Sequence, residues 1–558
     1  MGKTDSQAPV GGWRAAFGVY LQRQTLVMVA LGFAAGLPNF LIFDTLSAWL
    51  RSDGLSLETI AFFSLATLAY AFKFLWAPLL DRTTIPGLTA WLGHRRSWML
   101  VAQGAIILGL SLIALSRPAE NLAFVAALAV LTGFSSASQD IVIDAWRIEA
   151  VGKTQQGAMA AAYAWGYRVA LVIAGAVPLL LADQFGWSVS YLVMALLMGV
   201  GVLAVFWAPR ERTHHIRPMP ETGRPAQPIL ERIEWAARLS ILVIGAVVLG
   251  SGLSGKPDLL AAVAGPDVGA AIGEMWRSSP GGTWLQLAAV MTGFAVIVMA
   301  AYPLPGASTR PSLYLSHAFG EPLIDFCSRF QGTAVLILAL ICCYRISDFV
   351  LNLMNPFYLD LGFTLTEIAE VRKIFGVAMS MLGVFLGGLA VARWGLMGPL
   401  LIGAVAGPLS NLVFAWLATQ GPSVFALTIA IGVDNVAGGF SGTCLVAYMS
   451  SLTAAGFTAT QYALFSSLYA LPGKFIAALS GRIVEGAARS AEAGGFFSPL
   501  NALFTSLPSG ALTSGAQKAG VSPAALGAGY VTFFFYTCAI GVIALVLTFL
   551  VASRRPQG

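Results

Sequence analysis

"LAFVAALAVLTGFSSASQDIVIDAWRIE", Leu122–Glu149, begins as an apolar run and then admits Gln139, Asp140 and Asp144. As a helix rising about 1.5 Å per residue, it crosses roughly 30 Å of hydrocarbon with a turn or two to spare. Asp140 and Asp144 stand four apart, so both carboxylates share one face, one turn apart. A charge at bilayer depth costs about 2.5–3.5 kcal/mol, so each acid needs a reason to be there.

The rest of the chain reads the same way. Of 558 residues, 57% are hydrophobic and 10% charged, and the mean hydropathy is +0.77. Soluble domains carry about 25% charged residues. Apolar runs of span length recur from end to end without two-residue alternation, so helices rather than a barrel satisfy the backbone in lipid. The fold class expected is an all-α polytopic membrane protein. The five cysteines form no C-x-x-C pair, so neither a disulfide framework nor a zinc site is indicated. No metal or other cofactor is expected. The net charge of +6 follows from membrane topology and calls for no nucleic acid.

Fourteen spans are expected, at about 25–49, 57–80, 98–115, 121–145, 157–182, 187–207, 233–253, 284–304, 332–358, 366–391, 397–418, 423–450, 459–481 and 526–551. They group as a six-helix bundle over 1–207, basic connectors with two extra spans over 208–330, and a second six-helix bundle over 331–558. The second bundle carries a long outer loop at about 487–524. With both termini cytoplasmic, eighteen basic residues fall in inside segments and six (Arg51, Arg117, Lys256, Arg277, Arg489, Lys518) in outside ones, as the positive-inside rule requires. "APLLDRTTIPGLTAWLGHRR" after the second span resembles the D-R-x-G-R-R loop of the major facilitator superfamily, and "GGLAVARWGLMG" is its reduced echo in the second block. Two six-span halves with inserted helices is an expected transporter architecture.

Charges inside spans single out the candidate site. The first block offers Asp44, Tyr70, Lys73, Gln139, Asp140, Asp144, Tyr167 and Arg168. The second offers Arg345, Asp348 and Asn352 at steps of three and four, with Arg372, Lys373, Asp434, Asn435, Tyr469 and Lys474. Pro472–Gly473 marks a helix break that lipid does not tolerate. Each charge has two readings: an ion pair that holds helices together, or the wall of a central cavity. Pairing would join Asp140 or Asp144 to Lys73 or Arg168, and Arg345 to Asp348. Tyr70, Trp165, Tyr167, Tyr344, Tyr448 and Tyr469 either pack the bundle or stack on sugar rings. The glycines of "GVFLGG" and "GGFSG" read as helix packing. Two carboxylates on one face cannot both ionise cheaply, so one is expected to hold a proton. Asp140 is expected to take it and Asp144 to tune it, with Asp44 the alternative carrier.

"ASQDIVIDAWRIE" followed by "GYR", "FFSLATLAYAFKFLWAPLLDR" with "GHRRSW", and "YRISDFVLNLMNPFYLDLGFT" are similar to the AmpG family of muropeptide permeases. The likeness runs from about Gly32 through Glu485. It implies a major facilitator-type fold with fourteen spans and proton-driven import of anhydro-muropeptides across the bacterial inner membrane. That import would serve cell-wall recycling and β-lactamase induction. By the same resemblance, Gln139, Asp140 and Asp144 match the fourth-span motif, Lys73 the second-span motif, and Tyr167 and Arg168 the Gly-Tyr-Arg. Asp44 and the outer loop 487–524 have no family counterpart. The expected partners are a sugar-peptide substrate, protons and the lipid bilayer, with the chain acting as a monomer. The rival readings are a carrier of the same fold for acetyl-CoA or a nucleotide sugar, and a polytopic membrane enzyme.

Overall fold

The computed structural model describes residues 12–53, 70, 73–116, 118, 121–211, 227–254, 257–277, 281–302, 309–477, 480–505, 507–508 and 510–554. Long helices dominate them. In the first half they are α1 (Arg23–Phe40), α2 (His94–Leu115), α3 (Leu122–Ala150), α4 (Gln156–Phe185) and α5 (Trp187–Leu197), the last continued by Gly199–Trp207. Between the halves stand α6 (Pro228–Ser254) and α7 (Gly281–Ala301). The second half holds α8 (Ala334–Cys343), α9 (Gly376–Trp394), α10 (Met397–Ala418), α11 (Val424–Ser451), α12 (Thr458–Ala477) and α13 (Pro523–Arg554).

Nine helices among the described residues are long and apolar enough to cross a membrane, or ten if Arg310–Arg329 and Ala334–Asp348, bent by 107°, form one span. The expected span 57–80 lies mostly outside the described residues. Every other expected span falls on helix. Two of those missing from the nine are interrupted. After α1, with Pro38 near its end, a π turn spans Leu41–Thr45 before Leu46–Ser52 resumes. The segment after α8 breaks at Tyr344–Arg345, restarts at Ile346–Val350 and tightens to a 3-10 turn at Leu351–Leu353. The break expected at Pro472–Gly473 does not form, because α12 runs through both residues. It sits instead at Arg345. Such departures from regular helix are frequent at functional sites.

Close backbone approach builds each half. A Cβ on Gly166 of α4 would lie 1.9 Å from the Val29 carbonyl oxygen of α1, and one on Gly383 of α9 would lie 2.2 Å from that of Val436 on α11. Only a hydrogen fits in either place. The other glycine pair serves a different purpose: Gly438 and Gly442 leave room for the Arg345 guanidinium, which lies 3.8 Å and 3.1 Å from where their Cβ atoms would be.

Both chain ends gather on one face. Trp13 packs edge-on against Trp394 at 5.8 Å, while Val551 shares a core cluster with Leu400 and Leu452. The segment read as a long outer loop is folded into Ser480–Glu492, a 3-10 turn Ser498–Phe504 and Thr513–Ala519. Phe504, Leu512 and Ala516 join the core of the second half. The connector before α8 is helical too, as Arg310–Leu315 and Glu321–Arg329.

Candidate functional site

Asp140 and Asp144 lie on α3 where it faces the second half, each only 8% exposed. Tyr163 lies beside Asp140, and the Lys73 charge reaches it without closing to an ion pair among the described residues. Its Oδ1 is buried with no hydrogen-bond partner among those residues. Tyrosines ring it. Tyr70 donates to the Ser136 hydroxyl at 2.7 Å, and Tyr167 accepts from Asn39 Nδ2 at 2.7 Å. Tyr163 and Tyr167 stand 5.9 Å apart. Buried polar groups are nearly always satisfied, so an orphaned carboxylate oxygen among phenols marks a place prepared for a proton or a ligand.

Asp144 differs in having a partner. Its Oδ1 accepts from Arg147 Nη2 at 3.2 Å, and the same guanidinium reaches into the second half. Arg147 Nη1 donates to the Ser450 hydroxyl at 3.1 Å, and the cation lies 5.1 Å from the Tyr462 ring centroid. Neither Lys73 nor Arg168 pairs with these acids among the described residues. That corrects the pairing expected from sequence: Arg147 is one helical turn from Asp144, while Arg168 has the like-charged Arg345 as its electrostatic neighbour.

In the second half Arg345 Nε donates to Asp348 Oδ2 at 2.8 Å, as the spacing of three predicts. Tyr469 and Asp434 also feel the Arg345 charge. Asp434 accepts from the Ser410 hydroxyl at 3.2 Å. These groups, with Arg168, form a charged cluster between the halves. Asn352 sits in the 3-10 turn, Asp44 in the first π turn, Lys373 in a second one over Glu370–Phe375 and Lys474 on α12. The side chains of these four lie outside the described residues. Arg372 hydrogen-bonds Asn355.

Two candidates point away from the cluster. Gln139 donates to the Ala34 carbonyl at 2.9 Å, because residues adjacent on a helix are about 100° apart and Asp140 already takes the inward face. Asn435 donates to its own helix at Ile431 O, 2.9 Å, and abuts Gly376. Among the aromatics, Tyr344 is tied to Leu400 O at 2.6 Å and Tyr448 is buried, so both are packing. Trp165 bridges the halves by donating to Met381 O at 2.9 Å. The sequence reading missed Tyr163, Tyr462 and Arg147. The i, i+4 repeat of Tyr163 and Tyr167 was a usable signal for the first.

Beneath the acids, the face carrying the chain ends is closed. Asp81 accepts from the Thr460 backbone N–H at 2.8 Å, its hydroxyl at 2.7 Å and the Ala459 N–H at 3.2 Å, capping the start of α12 from the opposite half. Arg95, fully buried, holds Asp81 at 2.6 Å and Glu149 at 2.7 Å. Tyr20 donates to Phe385 O at 2.9 Å. The connector joins in: Arg82 binds Glu321 at 2.8 Å, and Gln461 donates to Pro322 O at 2.9 Å. Asp81, Arg82 and Arg95 belong to the Asp-Arg and Gly-His-Arg-Arg segments, read from sequence as a cytoplasmic loop and found here in the seam.

Comparison with known proteins agrees with this architecture. The Major Facilitator Superfamily profile matches residues 28–477. The chain is similar to the anhydromuropeptide permease of Escherichia coli, 29% identical over 470 residues, covering 84% of this chain and 75% of that one. It is also similar to a putative transporter, AmpG 4, of Rickettsia felis, 28% identical over 458 residues, 82% of this chain and 88% of that one. Among solved structures, a proton:xylose symporter of the same superfamily aligns over 97% of this chain and 96% of that chain, with TM-score 0.50 and 11% identity. These relatives are carriers, and the membrane-enzyme reading falls with them. The two helical halves, the seam between them and the matched profile make the chain a multi-pass membrane transporter that belongs to the Major Facilitator Superfamily.

Proposed function

We propose that the chain is a proton-coupled importer of anhydro-muropeptides, GlcNAc-1,6-anhydroMurNAc and its peptides. It would work in the bacterial inner membrane with both termini cytoplasmic, serving wall recycling and β-lactamase induction. The observation that carries proton coupling is the buried Oδ1 of Asp140, which has no hydrogen-bond partner among the described residues. A carboxylate kept from ion pairing can gain and lose a proton, and an inward proton is driven by about 2.3 kcal/mol per 100 mV. The substrate reading is supported by the 29% identity to a protein named anhydromuropeptide permease.

In this reading the seam at the chain ends is the closed cytoplasmic gate, so the cluster loads from the periplasm. Lys73, Tyr70, Tyr167 and Tyr469 meet the sugar rings. Arg168, Arg345, Asp348 and Asp434 meet the charged peptide. Uptake of radiolabelled anhydro-muropeptide into right-side-out vesicles tests it. Accumulation should follow an imposed inward pH gradient and collapse with a protonophore. Uptake no higher than in vesicles lacking the protein would overturn the substrate, and competition by acetyl-CoA or a nucleotide sugar would point to the rival cargo.

A further inference from the structure

The helix Ser480–Glu492 is left without a task by the transport reading. It packs antiparallel against α13: the Ser522 N–H donates to Glu492 at 3.0 Å, and a Cβ on Gly529 would lie 3.0 Å from that of Ala488. Between the two helices opens a groove of about 500 Å³, walled by Ile483, Gly486, Thr532, Phe535 and Ala539, with Phe497 from the following turn. Arg482 is exposed and is the one charged residue lining the groove among the described residues.

The depth of the groove follows from α10, a span that ends at Ala418. Asn411 of α10 donates to the Thr537 hydroxyl of α13 at 3.1 Å, and Phe414 meets Phe534 at 5.7 Å. Continuing that register puts Ala418 level with about Tyr530. Thr532 to Ala539 then lie roughly 3–14 Å below the end of the span, in the leaflet away from the chain ends. Phe535, Val542 and Val546 are each at least half exposed and share one face of α13 at steps of seven and four. From Phe535 to Val546 the helix rises about 16 Å, close to the depth of one leaflet, about 15 Å.

We infer that this groove binds one anionic phospholipid, its phosphate on Arg482 and an acyl chain laid along the Phe535 stripe. An arginine stem buries along apolar surface while its guanidinium reaches up to the headgroups. The guanidinium carries five N–H donors in a fork matched to phosphate, so it can serve a phosphate while holding another contact. Thr532 gives its own proton to Ala528 O at 2.8 Å and adds no donor. Charge then sorts the headgroup. Glu485, three residues from Arg482, is held by Arg489 at 3.0 Å. No carboxylate of that helix face is left over for the ammonium of a choline headgroup, which would stand beside two arginines. A headgroup whose only charge is its phosphate fits. A soluble phosphate ester would leave the apolar walls uncovered.

Native mass spectrometry of the full chain tests this, after purification in mild detergent and exchange with phosphatidylglycerol or phosphatidylcholine of identical acyl chains. The parent should hold one phosphatidylglycerol about fivefold more tightly than phosphatidylcholine. Arg482→Gln should lose that preference, while Lys518→Gln, at another exposed cation of the same outer segment, should keep it. A Cβ on Gly486 meets nothing within 4 Å, so Gly486→Leu fills the groove without strain and should lower retention of both lipids. A parent that holds the two lipids equally overturns the inference, as does an Arg482→Gln variant that keeps the preference. Displacement of the lipid by excess glycerol phosphate also overturns it, since the site would then serve a water-borne anion. If Arg482→Gln fails to fold, Gly486→Leu decides, and undiminished phosphatidylglycerol retention in that variant overturns the groove.

Discussion

In the first half, Asp140 is buried beside tyrosines with one oxygen unpartnered and no ion pair among the described residues. In the second half, Asp348 is held by Arg345 at 2.8 Å and also receives the Ser347 hydroxyl at 3.3 Å. Both acids stand near the seam between the halves, yet one is left able to change its charge and the other is fixed by a neighbour. A group that must load and release a proton is better off without a permanent cation. A group that shapes a binding wall is better off with one. The same asymmetry recurs at the chain-end face, where Asp81, Arg95 and Glu149 form a buried network in the first half. The corresponding loop of the second half offers the half-buried Arg393, whose Nε has no partner among the described residues.

The sharpest way to break the comparison is to neutralise both acids. Asp140→Asn should abolish gradient-driven accumulation, a loss of roughly 50-fold for each 100 mV if one proton is coupled. Asp348→Asn should keep the gradient dependence and weaken uptake by raising the half-saturation concentration. Equal effects on coupling would erase the distinction between the halves. Next in size is the gate. Asp81→Asn strips a buried carboxylate of its charge beside Arg95 and should destabilise the closed state by about 3 kcal/mol. Arg393→Gln should stay within about 0.5 kcal/mol. Thermal unfolding of the two variants in detergent compares them directly.

Helix approach comes third. Gly166→Ala forces a methyl into the Val29 carbonyl and should cost about 1–3 kcal/mol, read as a lowered melting temperature with normal pH dependence. The smallest effect lies at the start of α13, where Glu492 receives the Ser522 hydroxyl and its backbone N–H at 3.0 Å. These hydrogen bonds, side chain first, hold the Glu492 carboxyl below its usual range and outweigh the upward push of desolvation. A lowered folded-state value stabilises above the ordinary glutamate value and is lost as pH falls through the folded one. Glu492→Gln should therefore melt slightly below the parent at pH 7 and converge with it near pH 3. A gap that persists at pH 3 would contradict this.

Much of the fold was legible because bilayer thickness converts apolar run length directly into helix, as at Met397–Ala418, which matches the expected span to the residue. Periodicity also placed Asp140 and Asp144 on one face and brought Arg345 to Asp348. What sequence could not show was the partner across the seam. Arg147 lies near a span end, where basic residues ordinarily meet water. Its burial depends on Ser450, 303 residues away, and no local pattern encodes that. The Asp81 network escaped for the same reason: Thr460 is 379 residues distant. Gln139 donates to Ala34 O instead of facing the cluster, since helix geometry sets it off the Asp140 face.

The central claim is that Asp140 carries the transported proton. It is tested most directly by adding anhydro-muropeptide to proteoliposomes in weakly buffered medium and following the external pH. The parent should make the medium more alkaline as substrate enters. Asp140→Asn should bind the substrate and leave the pH unchanged. An Asp140→Asn variant that still alkalinises the medium on adding substrate would contradict the claim.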